Sequence, residues 1–324
     1  MTRLRIAVLM GGLSAEREVS LMSGRRVMGA LDPARYDAYA VDLADISRSR
    51  GADLARLLSS PDSGDLPDAV FIALHGGVGE NGTVQGLLEM LGLPYTGSGV
   101  LASALAMNKI YSKQLFAQAG LPTPKWVALH ARDLNATPDG IATTLDQPWV
   151  VKPACQGSTI GVTIVQSEAE LPAALDLAFA YGDQAVVEQF ISGTEITGPV
   201  LGTDHPQVLP LIEIVPSGGF YDYTAKYTPG ATEEIIPARI SEAQTARGRA
   251  LALAAHHALG CRALSRVDLI AAEDDVYVLE VNTIPGLTDT SLVPRSAEAA
   301  GISFPELVDR LIQSAMEDSG QGGA

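Results

Sequence analysis

Hydrophobic and polar positions follow two different spacings along the chain, and the change from one to the other predicts strands and helices. Short apolar runs such as "RIAVLMGG" and "AVFIALHGG" are typical of buried strands, while "SLMSGRRVMGAL" and "GTVQGLLEMLG" have the spacing of helices. Over the first hundred residues this rhythm, with a further strand at "AYAVDL", predicts a parallel sheet covered by helices on both faces. The loops after such strands commonly bind ligands.

From about residue 100 the pattern changes. We predict one helix over "ALAMNKIYSKQLFAQAG", ending at Gly120. The strands predicted next are "PWVVKPA", "GVTIV" and "AVVEQFI". The loop "CQGSTIG" separates the first two of them, which predicts an antiparallel hairpin with a mobile tip.

The last third is predicted to contain longer strands. These are "ITGPVLG", "VLPLIEIVPS", "SRVDLIAA" and "VYVLEVN". A helix lies between them, with Ser241 and Gln244 fitting a capping box and Gly260 fitting its end. The segment "GGFYDYTAKYTPGATEEIIP" is predicted to be a long polar loop, and loops of that length are uncommon without a function.

Composition narrows the class of protein. The 324 residues carry a net charge of −16, which argues against a general nucleic-acid binder because such a protein needs a basic face. Cys155 and Cys261 are expected to be free thiols of a reduced compartment. No signal peptide and no apolar run of roughly 20 residues is evident, so we expect a soluble, cytoplasmic protein without a membrane partner.

Polar residues inside the strand "VYVLEVN" point to a metal ion. Glu280 and Asn282 are two residues apart, so they project from the same face, and Asp268 on the preceding strand can face them if the two strands pair. Two carboxylates and an amide oxygen suit Mg²⁺, which is often bound together with substrate phosphates. The alternative is an acidic sheet face in solvent.

Cations that match a nucleotide come from three separate segments. They are Lys109, Lys152 and Lys226, and Lys152 ends the apolar run "WVVK". The loop 156–161 can direct backbone N–H groups at phosphates. It lacks the G-K-[ST] of a Walker A motif, and the N-terminal glycines lack G-x-G-x-x-G.

Taken together, these motifs resemble a known enzyme family. In chain order they are "GGLSAEREVSLMSG", "ALHGGVGENGTVQG", "LPYTGSG", "KP" followed by "GSTIGV", "FYDYTAKY", "SRVDL" and "LEVNTIPGLTDTSLVP". The sequence resembles the D-alanine–D-alanine ligases of the ATP-grasp superfamily over nearly its whole length. The resemblance implies an α/β fold that is α+β in its later part. It also implies an enzyme that joins two D-alanines through a D-alanyl phosphate, for peptidoglycan precursors.

The resemblance also implies a domain plan. Residues 1–100 would form an N-terminal α/β substrate-binding domain, 101–187 a central subdomain with the phosphate loop, 188–318 a catalytic domain with a mainly antiparallel sheet, and 319–324 a flexible tail. It further implies ATP as cosubstrate, two Mg²⁺ ions that Mn²⁺ can replace, and a homodimer.

Roles follow from the resemblance residue by residue. The implied metal ligands are Asp268, Glu280 and Asn282. The implied ATP contacts are Lys109, Lys152, Glu188, Phe190, Ile191, Glu195, Phe220 and Lys226. The implied catalytic residues are Glu16, Ser158, Tyr227, Arg266 and Gly286. The implied D-alanine contacts are His75, Lys226, Ser291 and Leu292.

Two other functions remain open at the level of sequence. A D-alanine–D-lactate ligase would differ at the predicted loop, where Tyr227 favours the dipeptide product. A non-catalytic nucleotide-binding regulator is expected to have lost Arg266 or a metal ligand, and this chain retains them. The chain departs from the usual family residues at Asn81, Asn108, Cys155, Gln156 and Phe190.

Overall fold

A computed structural model describes residues 3–48, 54–133, 141–216 and 230–319 of the chain. The strands in these ranges are β1 Leu4–Met10, β2 Tyr36–Asp42, β3 Ala69–Ile72, β4 Trp126–His130, β5 Trp149–Pro153, β6 Thr163–Val165, β7 Gln184–Gln189, β8 Thr194–Leu201, β9 Gln207–Val208, β10 Ile212–Pro216, β11 Thr232–Ile235, β12 Leu264–Ala271 and β13 Val276–Asn282. The α-helices are Arg17–Ala30, Leu43–Arg48, Leu54–Leu58, Thr83–Met90, Val100–Met107, Lys109–Gln118, Leu171–Phe179, Glu242–Ala258, Leu292–Ala299 and Phe304–Ser319.

The first sheet has the order β2-β1-β3, and both pairings are parallel, as predicted. Alternate residues of β1 face two separate apolar cores. Ile6 and Val8 pack with the C-terminal helix Phe304–Ser319, whereas Ala7 and Leu9 pack on the opposite side. Both faces of the sheet are therefore covered, and the last helix of the chain closes the first sheet.

The central sheet has the order β4-β7-β5-β6 with antiparallel pairings throughout. β5 and β6 form the predicted hairpin around the glycine-containing loop. Trp149, Val151 and Val187 pack into one apolar core with the helix Leu171–Phe179. That core fixes β5, which carries Lys152 toward its end.

The third sheet has the order β11-β10-β8-β12-β13, with β9 paired to β8. The helix Glu242–Ala258 packs on it, and the capping box of Ser241 and Gln244 is confirmed. Among the described residues, no helix combines the length and the apolar content needed to cross a bilayer.

The prediction of one helix over 104–120 is wrong. Asn108 has extended backbone angles and interrupts it, and its side chain accepts hydrogen bonds from the N–H groups of Ile110 and Tyr111. An asparagine at this position satisfies N–H groups that a new helix leaves open. The N–H of Lys109 instead bonds the carbonyl of Ala154, at 2.8 Å, which ties the second helix to the end of β5.

Two other predicted elements differ from the structure. The strand predicted over 208–217 is divided into β9 and β10, and Pro210, which has no N–H to give a ladder, lies in the gap. The end of the predicted long loop forms β11, which pairs with β10. The domain boundaries remain predictions.

Candidate active site

The β12–β13 hairpin places the three predicted metal ligands on one face of the third sheet. Asp268 lies directly opposite Glu280, and the register shifts immediately afterwards, so that Leu269 pairs with Val278. The shift leaves Leu279 as an extra residue, a β-bulge. Val278 and Val281 therefore both enter the apolar core, although they are three residues apart, while Glu280 projects away from it.

Cationic side chains accompany these carboxylates. Arg266 donates two hydrogen bonds to Asp268, at 2.9 and 2.8 Å, and Thr197 donates a third at 2.6 Å. Lys109 Nζ lies 3.0 Å from Glu280 Oε2. The neighbouring cations reduce the repulsion between two carboxylates held on adjacent strands.

The donor set fits Mg²⁺ in its chemistry. Asp268, Glu280 and Asn282 offer oxygen atoms from one face of the hairpin, and Mg²⁺ prefers one or two carboxylates completed by substrate phosphates. Within the described ranges, no group of three or more His, Cys, Asp or Glu side chains is placed to hold a metal ion, and the third oxygen donor of this set is an amide.

The loop between β5 and β6 joins this hairpin to the first sheet. Lys109 Nζ donates to the carbonyl of Gln156, at 2.6 Å, and Ser158 Oγ donates to Glu16 Oε1, also at 2.6 Å. Ser158 and Thr159 both have positive φ values, 53° and 59°. Left-handed backbone is uncommon for a β-branched residue such as Thr159, so the loop holds a strained shape around the Ser158–Glu16 contact.

The carboxylate of Glu16 lies close to the backbone of Gly76. A Cβ at Gly76, where φ is +71°, would lie 2.5 Å from Glu16 Oε2. The backbone conformation favours glycine, and a side chain at this position would displace the Glu16 carboxylate. Ser14 Oγ donates to the carbonyl of His75 at 2.6 Å and fixes the same turn.

His75 is connected to the loop that follows β13. Its Nε2 lies 2.9 Å from Ser23 Oγ, which accepts a hydrogen bond from the N–H of Leu287 at 3.3 Å. Arg26 donates to the carbonyls of Leu287 and Thr288 at 3.0 and 2.7 Å. Sequence analysis missed Ser23 and Arg26, which lie one turn apart on the first helix and support this loop.

Gly286 and Ser291 approach each other within that loop. A Cβ at Gly286 would lie 2.8 Å from Ser291 Oγ, so a side chain there would displace the hydroxyl. The N–H of Thr288 donates to the same Oγ at 2.9 Å. Leu292 begins the following helix and is buried.

One cleft of about 420 Å³ joins most of the predicted residues. Those that line it are Glu16, His75, Lys109, Ser158, Arg266, Glu280, Asn282, Gly286, Ser291 and Leu292. Those that lie outside its walls are Lys152, Glu188, Phe190, Ile191, Glu195 and Asp268. Phe220, Lys226 and Tyr227 fall outside the residues that the structure describes.

Glu188 occupies a different environment from the cleft. Its carboxylate is buried between two ammonium groups, with Lys152 Nζ 2.9 Å from Oε2 and Lys113 Nζ 3.2 Å from Oε1. Sequence analysis missed Lys113. Its four-residue separation from Lys109 was the available signal, because that spacing puts both lysines on one helix face.

Burial and charge act in opposite directions in this cluster. Burial lowers the pKa of Lys113 to about 8, and the nearby Glu188 carboxylate limits the decrease. Burial would raise the pKa of Glu188, but the ammonium groups of Lys113 and Lys152 outweigh it and lower that pKa below its usual range. Glu188 is therefore an anion at neutral pH.

Models of one protein family match most of the chain. The model for the "D-ala D-ala ligase C-terminus" matches residues 115–313, and the model for the "D-ala D-ala ligase N-terminus" matches 5–50 and 47–98. A D-alanine--D-alanine ligase of Desulforudis audaxviator is 52% identical over 318 residues, which cover 97% of this chain and 99% of that protein.

Solved structures share the whole architecture. The D-alanine--D-alanine ligase of Bacillus anthracis complexed with ATP has a TM-score of 0.83 and 36% identity, and each chain is covered completely. The VanG D-Ala:D-Ser ligase of Enterococcus faecalis has a TM-score of 0.84 and 32% identity, covering 97% of this chain and all of that one.

The chain has the fold of an ATP-grasp enzyme, as predicted. The chain belongs to the D-alanine–D-alanine ligase family, as the matches to both halves of the sequence show. The resemblance found in the sequence is thereby confirmed.

Proposed function

We propose that the chain ligates two D-alanines to D-alanyl-D-alanine, consuming ATP and releasing ADP and phosphate for peptidoglycan precursors. The observation that carries this proposal is the cleft. It brings the carboxylate of Glu16 into the same cavity as Lys109 and the oxygen donors of β13. An amine-binding group and a phosphate-binding group thus face one space, as joining a carboxylate to an amine requires.

The chemistry explains why ATP is needed. A carboxylate is not attacked by an amine in water, so an oxygen of the first D-alanine attacks the γ-phosphorus of ATP, and the bond to ADP breaks. The resulting acyl phosphate is attacked at its carbonyl carbon by the amine of the second D-alanine. A C–N bond forms, phosphate leaves with the former carboxylate oxygen, and the amine loses a proton.

The residues of the cleft have separate roles in this proposal. Glu16 holds the amino group of the first D-alanine, and Ser158 fixes Glu16 through their 2.6 Å hydrogen bond. Lys109 neutralises phosphate charge as phosphoryl transfer proceeds. Arg266 and the N–H of Gly286 stabilise the oxyanion of the tetrahedral intermediate. Ser291 and Leu292 receive the carboxylate of the second D-alanine, and His75 borders the substrates.

Other proposed contacts rest on family resemblance. Lys152, Glu188, Phe190, Ile191, Glu195 and Phe220 serve the nucleotide, Lys226 serves phosphate and substrate, and Tyr227 shields the acyl phosphate and selects the amine. Two Mg²⁺ ions, replaceable by Mn²⁺, would be held by Asp268, Glu280 and Asn282. When bound, such ions neutralise charge on the transferring phosphoryl group.

Product analysis tests this function. The purified chain is incubated with ATP, Mg²⁺ and D-alanine, alone or mixed with equal D-lactate or D-serine, and products are separated by chromatography. We expect D-alanyl-D-alanine in equal amount to ADP. If the main product is the depsipeptide, the chain is a D-alanine–D-lactate ligase. If the main product is D-alanyl-D-serine, its specificity resembles that of the VanG ligase. If ADP release does not depend on an added amino acid, a nucleotide-binding regulator is favoured.

A homodimer and a cytoplasmic location complete the proposal. Exposed apolar side chains surround a groove beside the helix Val100–Met107, with Leu101 71% and Tyr111 50% exposed, which suits a second copy. Leu101→Glu should convert the dimer to a monomer in sedimentation, and a monomeric parent protein would refute the proposed dimer.

The proposed cytoplasmic location is supported by the cysteines. Cys155 and Cys261 are unpaired thiols, as a reducing compartment favours.

A further inference from the structure

Lys113 is a fully buried cation that the proposed mechanism does not use. Its side chain is 0% exposed, whereas that of Lys152 is 11% exposed. Its Nζ donates to Thr123 Oγ1 at 2.7 Å and lies 3.2 Å from Glu188 Oε1. A ligand can therefore approach Lys152, but it cannot touch Lys113.

The three charged groups form one electrostatic unit. Two ammonium groups share the single carboxylate of Glu188, so the cluster carries a net charge of +1. If Lys113 were absent, Glu188 and Lys152 would form a closed, neutral pair. Charges interact strongly where water is excluded, so this difference would be felt by an anion next to Lys152.

We propose that Lys113 is a positioning residue for the phosphates of the nucleotide. It pairs with Glu188 Oε1, whereas Lys152 pairs with Oε2, and so leaves the Lys152 ammonium with positive charge for an anion. This inference rests on the proposed function for the identity of the anion. It assigns Lys113 no contact with substrate.

The competing role is structural. A buried lysine can simply stabilise Glu188, and removing one member of a buried ionic group is often strongly destabilising. The two roles differ in what they do to folded protein. A structural role changes stability but leaves the preference for phosphates unchanged, whereas the positioning role changes that preference according to the charge of the cluster.

The experiment measures nucleotide binding without catalysis. The non-hydrolysable ATP analogue AMP-PNP, with Mg²⁺, and adenosine are titrated by calorimetry, with adenosine measured by competition where it binds weakly. The ratio of their dissociation constants isolates the phosphates from the base. The variants are Lys113→Met, Glu188→Gln, the double variant and, as matched control, Lys125→Met, which removes an exposed lysine.

The expected order follows cluster charge. Glu188→Gln removes the only negative charge of the cluster, so its phosphate preference should be at least as strong as that of the parent. The parent and the double variant, both +1, should agree within about threefold, and Lys113→Met, with 0, should lose at least about tenfold. Lys125→Met should match the parent. An unchanged ratio in Lys113→Met, or no recovery in the double variant, would overturn the proposal.

The experiment distinguishes a folding defect of Lys113→Met, and a failure of the proposed ligase function, from a failure of the positioning role. If Lys113→Met does not fold, the comparison of Glu188→Gln with the parent decides, and a weaker phosphate preference in Glu188→Gln refutes the proposal. Failure of the ligase function would be seen in the product assay. It would leave the binding ratios interpretable, because calorimetry needs no turnover.

Discussion

Two groups of cation–carboxylate pairs lie a short distance apart and differ mainly in exposure. On the cleft side, Lys109 pairs with Glu280, whose side chain is 28% exposed. In the interior, Lys113 and Lys152 share Glu188, whose side chain is 2% exposed. The carboxylate of Glu280 can be reached by a metal ion, whereas burial fixes the pairing of Glu188 with Lys113 and leaves only Lys152, 11% exposed, open to an anion.

One helix supplies both groups. Lys109 and Lys113 are one turn apart, and the break at Asn108 sets where that helix begins. The difference teaches that identical chemistry can serve substrate directly or set the charge of a neighbouring group, depending on access to solvent. The predictions below test this division, from the largest effect to the smallest.

The largest effect is expected at Glu280. Glu280→Gln keeps the shape of the side chain but removes the charge proposed to hold metal, so ADP release at saturating Mg²⁺ should fall at least about a hundredfold. Circular dichroism should be unchanged. The control is Glu273→Gln in the exposed turn of the same hairpin. Turnover within tenfold of the parent would show that Glu280 does not hold metal.

Lys109→Met and Lys152→Met should each raise the KM for ATP about tenfold or more and leave the KM for D-alanine nearly unchanged. Both remove a positive charge proposed to meet phosphate. Separate titrations of the two substrates measure this, with Lys125→Met as the control. A change confined to the KM for D-alanine would mean that these lysines face the amino acid instead.

Ser158→Ala tests the link between the strained loop and the first sheet. It removes the 2.6 Å hydrogen bond to Glu16, and hydrogen bonds to charged groups contribute about 1.5–3 kcal/mol. We expect kcat/KM for D-alanine to fall roughly tenfold to a hundredfold, with ATP binding retained. Ser167→Ala, which removes a serine–carboxylate hydrogen bond of 3.1 Å to Glu170 outside the cleft, is the control. Equal kcat/KM in Ser158→Ala and parent would remove Ser158 from the site.

The smallest effect concerns His256, a buried titratable group with no counter-charge beside it in the described structure. Burial lowers its pKa to about 4, so the folded protein favours the neutral ring. Its contribution to stability is complete above pH 6.5 and is lost as the pH falls toward 4.

Between pH 7.5 and 4.5 this loss should be roughly 2–3 kcal/mol, which urea unfolding can measure. His256→Asn should lack it, because asparagine preserves a partner for Ser265, 2.8 Å from Nδ1, without titrating. The exposed His257→Asn should retain most of it. Equal acid sensitivity in both variants would contradict the assignment, and activity at neutral pH should not change.

Much of the fold could be predicted because, over long segments, the spacing of apolar residues in the sequence matches the residues that are buried in the structure. The parallel first sheet, the β5–β6 hairpin and the Ser241 cap follow from local patterns. The pairing of Asp268 with Glu280 could be anticipated from the short connection between two strands. These features depend on residues that are near in sequence.

The features that sequence analysis missed depend on contacts between distant segments. The break at Asn108 is stabilised partly by a hydrogen bond to Ala154, and the bulge at Leu279 lets Val278 and Val281 share a core. Lys113 stood in an ordinary polar helix pattern. Its separation of four residues from Lys109 indicates the helix face, but its partner is determined only when β7 brings Glu188 beside it.

The central claim, that the chain joins two D-alanines through a D-alanyl phosphate, is tested most directly by following the carboxylate oxygens of D-alanine. With D-alanine labelled by ¹⁸O at both carboxylate positions, ATP and Mg²⁺, the chain should form D-alanyl-D-alanine, and each phosphate released should contain one ¹⁸O. The label reaches phosphate because a carboxylate oxygen attacks the γ-phosphorus and later leaves with it. Dipeptide accompanied by unlabelled phosphate would contradict the acyl phosphate, and label in phosphate without dipeptide would contradict the ligation.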